Sequence, residues 1–208
     1  MHQPYDAVLL AGGRAARLGG IDKTALRARG TTLLDHAVAA AASAVRVVVV
    51  GPRDADALPP RVVRAREDPP FAGPVAAIAA GLEAVSVHAP LTLVLACDLV
   101  HPGAATARLV EAATARLFEA ASATATDGLR DGVVAVDDDG RRQPLLALYR
   151  TAALREAVES VRADAGTLAG TSMRRLLAPL DLVEVAVPSA LCADVDDPDA
   201  AARLTDPA

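Results

Sequence analysis

The chain is predicted to fold as an α/β domain, a mostly parallel sheet between two helical layers, with a small antiparallel addition. Three observations predict it. Short apolar runs (Ala7–Leu10, Val45–Val50, Leu91–Cys97) read as buried strands. Between them lie longer stretches whose apolar residues recur at helical intervals. In the second half, Asp131–Val136 and Gln143–Tyr149 flank the acidic turn Asp137–Gly140, the pattern of a hairpin. With 208 residues, 52% of them apolar, the chain has material for a core and is expected to form a single domain over residues 1–208.

The elements follow in order. Tyr5 and Asp6 lead into the strand Ala7–Leu10, and a loop rich in Gly and Arg follows to Lys23. A helix is predicted over Thr31–Ala42, where Thr31 or Thr32 can cap the first turn and Leu34, Val38 and Ala41 share a stripe. Val45–Val50 is a central strand, and Arg61–Arg66 a shorter, more polar one. Glu67–Pro74 is a loop, from which Gly73 or Pro74 opens a helix through Val87, since Pro is tolerated in a first helical turn. Leu91–Cys97 is a strand ended by Asp98, and Gly103–Ala120 a helix. Past the hairpin, Thr151–Arg162 and Thr171–Leu177 look helical, Leu182–Val187 is a late strand, and Pro198–Leu204 a short terminal helix.

Composition removes several classes of function. Asp and Glu total 26 against 21 for Lys and Arg, a net charge of −5, so long-range attraction to nucleic acid or to an anionic membrane is not the basis of action. Two Tyr, two Phe and no Trp are too few for a base-stacking platform. Cys97 and Cys192 make neither a disulfide framework nor a zinc site, and each is expected to be a small buried apolar side chain. No basic region precedes a long apolar stretch, and the longest apolar runs are too short to cross a bilayer, so a cytoplasmic protein is expected. All but one of the 21 basic side chains are Arg; the exception is Lys23. A compact ammonium and a forked guanidinium are not equivalent near phosphate.

Ligands of such sheets bind beyond the carboxyl ends of the strands, near a reversal of strand order. That directs attention to the residues after Leu10 and after Cys97. Leu10 runs into Ala11-Gly12-Gly13-Arg14-Ala15-Ala16-Arg17-Leu18-Gly19-Gly20-Ile21-Asp22-Lys23. Its glycines let backbone N–H groups face an anion, and Arg14, Arg17 and Lys23 add positive charge, a combination suited to a triphosphate. It is not a Walker A loop, because Ile21 and Asp22 stand between the last Gly and the Lys. Nor is it a G-x-G-x-x-G dinucleotide loop, because Gly12 and Gly13 are adjacent; H-R-D and D-F-G kinase elements are missing from the sequence. A plain turn with solvated arginines would not need so long a basic loop. Asp98, at the end of its strand, can hold a hard cation, Mg²⁺ typically taking one or two carboxylates with phosphate oxygens and water. As a helix cap it is less well placed than the residues around Pro102 and Gly103. Asp68, before Pro69, suits a turn. Asp197 before Pro198 suits a helix start, leaving Asp194 and Asp196 two apart on an extended piece.

The segment from Leu10 to Lys23 resembles the signature loop L-A-G-G-x-x-x-R-x-G-x-D-K of the molybdenum cofactor guanylyltransferases, with one extra Gly. More broadly it is similar to small nucleotidyltransferases that join a nucleoside monophosphate to a phosphorylated acceptor. The resemblance implies a Rossmann-like three-layer domain. It implies that Leu10, Ala11 and Gly12 meet the nucleotide through their backbone, that Lys23 meets its phosphates, and that Asp98 is the metal ligand. Asp68 to Ile78 resembles the family's D-x-x-x-x-G-P-L-A-G-I segment, whose Asp helps hold the nucleotide, with Ala77 where a Gly is frequent. Gln143 stands where the family has His before Pro-Leu on the acceptor side, and Asp194 and Asp196 stand where it has asparagines.

The expected reaction is Mg²⁺-dependent attack by the phosphate of molybdopterin on the α-phosphorus of GTP, with release of pyrophosphate. Lys23 and Arg17 would neutralise phosphate charge, Asp98 would hold the metal, Gly12, Gly13 and Gly19 would allow close backbone approach, and Asp68 would fix the nucleoside end. A cytidylyl or sugar-phosphate transferase, or a nucleotide-binding protein without catalysis, remains open at the level of sequence.

Overall fold

The computed structural model describes residues 3–12, 26–28, 30–51, 58–122 and 130–195, with the backbone alone for 116–122. The chain starts with β1 (Tyr5–Leu10), continues through a ribbon of β2 (Arg27–Ala28) and β3 (Thr31–Thr32), and enters α1 (Leu33–Ala40). Then come β4 (Val47–Val50), β5 (Val62–Ala65), α2 (Pro74–Glu83), β6 (Leu91–Ala96) and α3 (Pro102–Ser122). The second half adds β7 (Gly132–Val136), β8 (Arg142–Arg150), α4 (Thr151–Ala165), α5 (Met173–Leu177), β9 (Leu182–Ala186) and α6 (Ser189–Cys192).

Seven strands form one sheet in the order β5-β4-β1-β6-β8-β7-β9. The pairs β1–β4, β1–β6, β4–β5 and β7–β9 are parallel, while β8 runs against both its neighbours. The predicted hairpin therefore sits inside the sheet, with β8 inserted between β6 and β7. Every residue of β1 is buried, because both faces of the sheet are covered. Ala7 and Leu9 face the layer of α1 and α3, packing with Leu34, Val38, Ala105 and Leu109. Val8 and Leu10 face α2 and α4, packing with Val75, Ile78, Leu154 and Val158. This is the predicted α/β architecture.

Several element bounds differ from expectation for local reasons. Thr31 and Thr32 pair with Ala28 and Arg27 instead of opening the helix. Thr32 then acts as the N-cap, its hydroxyl accepting from the Asp35 N–H at 3.0 Å while the Asp35 carboxylate accepts from the Thr32 N–H at 3.0 Å, a reciprocal capping box. Helix α2 stops at Glu83, short of Val87, as the last turn tightens: the Val85 N–H bonds the Leu82 carbonyl. Val85 and Val87 are β-branched and Ser86 competes for backbone groups, so nothing favours another turn. Cys97 is buried as expected, but Cys192 is only half-buried, on the short helix α6. The predicted helix Pro198–Leu204 lies outside the described residues.

Strand order fixes where a ligand can enter. From β1 the chain moves outward to β4 and β5, then returns to the other flank of β1 as β6. The order thus reverses between β1 and β6, and their carboxyl ends, Leu10 and Ala96, lie side by side in register.

Candidate active site

Two hydrogen bonds carry the strand pairing past the ends of β1 and β6. The Ala11 N–H donates to the Val50 carbonyl at 2.8 Å, and the Cys97 N–H donates to the Leu10 carbonyl at 3.0 Å. They set the next residues, Gly12 and Asp98, at the same edge of the sheet. Gly12 is exposed and Asp98 half-buried. On the other side of Ala11 stands Gly51, the first residue beyond β4. A Cβ there would lie 2.9 Å from the Ala11 backbone carbon and from its Cβ, so only Gly lets the two strand exits run this close.

The residues after β6 are held by the far end of the chain. The Val195 N–H donates to the Asp98 carbonyl at 3.1 Å, the Val100 N–H donates to the Ala193 carbonyl at 3.0 Å, and Leu99 bridges Asp194. Val195 is fully buried with Ala28 and Leu33, and Leu26 packs against that cluster. The Leu33 N–H donates to the Leu26 carbonyl at 2.9 Å. One small core thus ties the turn bearing Asp98 to the segment that follows the Gly-rich loop. Asp194 is brought beside Leu99; Asp196 and Asp197 lie outside the described residues.

Of the residues predicted for the site, Leu10, Ala11, Gly12 and Asp98 come together at this edge. Gly13, Arg14, Arg17, Gly19 and Lys23 lie outside the described residues. Asp68 is exposed in the loop after β5. Its neighbour Glu67, not singled out by sequence, is buried at 8% exposure. Glu67 Oε1 accepts the Phe71 N–H at 3.0 Å and lies 3.8 Å from where a Cβ on Gly12 would be. Phe71 has a left-handed backbone, φ 62°, and is 51% exposed. The signal for Glu67 was an acid at the carboxyl end of a parallel strand, the same reasoning that pointed to Asp98, but it was not applied to the edge strand β5.

The hairpin turn comes to the same edge, because β7 is parallel to β9 and antiparallel to β8, which starts where β6 ends. Asp137 Oδ1 accepts the Arg141 N–H at 2.8 Å and the Asp139 N–H at 3.1 Å, and Oδ2 accepts the Gln143 amide at 2.9 Å. The Arg141 N–H is the main cause that holds the Asp137 carboxyl below its ordinary value, and the Gln143 and Asp139 donors act in the same sense. Gln143 is thereby engaged in the turn. The Tyr149 hydroxyl donates to the Pro144 carbonyl at 2.8 Å, and burial pushes this phenol up.

Asp6 is buried at the opposite end of β1, where it accepts the Ala89 N–H at 2.8 Å and faces Arg46 at 3.3 Å. It braces the sheet far from the carboxyl edge. A separate cavity of about 580 Å³ between α1 and α3 is lined by Tyr5, Ala40, Ser43, Thr106, Val110 and Glu111, among others, and by none of the predicted site residues. Among the described residues no group of three or more His, Cys, Asp or Glu converges on one point. No described helix is long and apolar enough to cross a membrane.

Residues 7–185 match the MobA-like NTP transferase domain. A molybdenum cofactor guanylyltransferase of Methylibium petroleiphilum is 32% identical over 165 residues, 75% of this chain and 75% of that protein. One from Acidiphilium cryptum is 50% identical over 44 residues, 21% of this chain and 22% of that protein. Among solved structures, molybdopterin-guanine dinucleotide biosynthesis protein A from Archaeoglobus fulgidus superposes with a TM-score of 0.62 at 20% identity, covering 96% of each chain. The 2-C-methyl-D-erythritol 4-phosphate cytidylyltransferase of Thermus thermophilus gives 0.62 at 21% identity, covering 97% of each. These two share the fold. With a family match over most of its length, and Gly12 leaving β1 beside Asp98, the chain belongs to the MobA-like NTP transferase family and is a nucleotidyltransferase.

Proposed function

We propose that this nucleotidyltransferase acts as a single domain that transfers GMP from GTP to the phosphate of a molybdopterin acceptor, releasing pyrophosphate. The observation that carries the reading is the meeting of Gly12 and Asp98 at the reversal of strand order. The similarity of the Methylibium petroleiphilum guanylyltransferase supports the choice of base and acceptor. The same reading expects a cytoplasmic enzyme.

The acceptor phosphate is already an anion, so no side chain has to serve as nucleophile. The work of the protein is positioning and charge neutralisation. The backbone of Leu10, Ala11 and Gly12 would meet the nucleotide, with Gly13 and Gly19 extending the close approach. Lys23 and Arg17 would counter the charge of the phosphates, the ammonium as a point charge and the guanidinium as a fork. Both flanks of the loop that carries them, Ala11 and Leu26, are fastened near the sheet edge by the bonds described above. Asp68, exposed beside that edge, would contribute at the nucleoside end.

The donors present fit Mg²⁺. Asp98 offers hard carboxylate oxygens, and with no described cluster of three ligands the remaining positions would fall to phosphate oxygens and water, the usual sharing for this ion. When bound, the ion would neutralise charge on the reacting phosphates. Asp98 would hold it and fix its position at the strand end.

The test is a panel of four nucleoside triphosphates with Mg²⁺ and molybdopterin, read by pyrophosphate release. GTP should be the productive donor. Release with CTP instead would favour the cytidylyl alternative, which the Thermus thermophilus neighbour's fold also accommodates. Thermal stabilisation by nucleotide without pyrophosphate release would mark a binding protein without catalysis.

A further inference from the structure

We propose that Glu67 is the residue that selects guanine, its carboxylate receiving the N1–H and the 2-amino group of the base. The inference rests on the reading of this edge as the site for the triphosphate donor. Glu67 is among the few buried charged side chains of the described chain, and among the described residues no cation pairs with it. A buried, unpaired acid is costly unless something donates to it. Its one described donor is the Phe71 N–H on Oε1 at 3.0 Å. An ionised carboxylate accepts at about four lone-pair positions, so capacity for further donors remains.

Its place decides which part of the ligand it meets. Oε1 lies 3.8 Å from the Cβ position of Gly12, whose other near neighbour is the Gly51 Cα, also at 3.8 Å. The Glu67 side chain therefore reaches back from the end of β5 to the exit of β1. Asp98 would face the phosphates through the metal; a carboxylate with no metal between would be repelled there, so Glu67 fits the uncharged end of the nucleotide. Of the four bases, only guanine offers two adjacent donors on its pairing edge. Cytosine and adenine offer an amino group next to a ring nitrogen acceptor, and uracil one N–H between two acceptors. The two oxygens of one carboxylate match guanine and mismatch the others. Phe71 adds a second feature: an aromatic side chain, 51% exposed, on a left-handed backbone whose N–H Glu67 itself holds. An exposed ring next to a base-reading acid can stack on the base.

The experiment compares wild type with Glu67→Gln on GTP, ITP and XTP, reading kcat/KM from pyrophosphate release with molybdopterin as acceptor. Gln keeps an oxygen for the Phe71 N–H and replaces the other acceptor by a donor. Wild type should prefer GTP over ITP, which lacks the 2-amino group, by about 10-fold or more. Glu67→Gln should lower efficiency with GTP by about 100-fold and raise the XTP-to-GTP ratio, because the amide can donate to the C2 oxygen of xanthine. An equal loss with all three donors would assign Glu67 to the loop or the ribose and overturn the proposal. If the variant does not fold, the wild-type ratio decides alone: GTP and ITP used equally well would overturn it. If wild type transfers from no purine triphosphate while another donor works, the GTP reading itself fails, and this inference with it.

Discussion

Gly12, Glu67 and Asp98 leave three different strands and arrive at one edge, and each is fixed there by backbone bonding or by packing of its neighbours. Asp98→Asn should cut Mg²⁺-supported pyrophosphate release by about 100-fold or more, the scale expected when a charge-stabilising group is lost, with the melting temperature little changed. Retained turnover would mean that the metal is held elsewhere. Lys23→Ala should lower kcat by a similar factor; near-normal transfer would remove Lys23 from its role. Far from the edge, Thr151 Oγ1 donates to the Ala89 carbonyl at 2.8 Å and lies 2.8 Å from Thr92 Oγ1, with both threonines buried. Thr151→Val should cost about 1–3 kcal/mol, because Thr92 would keep a buried hydroxyl without its partner. A urea unfolding series checks this, and an unchanged midpoint would show that Thr92 finds another acceptor. The place of Asp98 at the rim was legible because an acid ending an apolar strand of a parallel sheet falls at its carboxyl edge. Glu67 was not, since its burial depends on a side chain that crosses two strand exits, and nothing local in Glu67-Asp68-Pro69-Pro70 says which of the two acids turns inward.

Helix α2 lies so close to the sheet that a Cβ on Gly81 would sit 2.5 Å from Val8 Cγ1 and 3.1 Å from Val50 Cγ2. Ala is the better helix former by about 1 kcal/mol, yet overpacking costs about 1–3 kcal/mol, and at 2.5 Å against β-branched core residues the second effect should win. Gly81→Ala is therefore expected to lower stability in denaturant unfolding; a gain would show that α2 can lift from the sheet. The hairpin turn makes a pH-dependent contribution. The Asp137 carboxyl is held below its ordinary 3.8 when folded, so its contribution is full above that value and is lost as the pH falls through the lowered one. Thermal melts of wild type and Asp137→Asn should differ at pH 7 and converge in strong acid. A constant difference across that range would exclude the carboxylate as the cause. At this scale the strands were readable because apolar, β-branched runs need burial on both faces. The ribbon Arg27–Ala28 with Thr31–Thr32 was not, since two residues per strand carry no periodicity. Nor was the pairing of Ala193–Val195 with Asp98–Val100, whose partners are far apart in sequence.

Across the whole molecule, the α/β class was legible because alternating strand and helix signals leave few ways to cover both faces of a sheet. What escaped was the insertion of β8 between β6 and β7: a hairpin signal says that two strands pair, but not which of them meets the parallel half. That insertion matters to function, because it carries the start of β8, with Gln143 and Pro144, to the edge where β6 ends. Strand order, the tail clasping the Asp98 turn, and the anchoring of Leu26 all converge on one rim. The central claim is that the donor nucleotide binds at this rim, between the exits of β1 and β6. A crystal structure of the protein with GTP and Mg²⁺ tests it most directly. The nucleotide should lie along the backbone of Leu10 to Gly12, its base toward Glu67 and its phosphates toward the metal on Asp98; nucleotide density in the cavity between α1 and α3, with the rim empty, would contradict the claim.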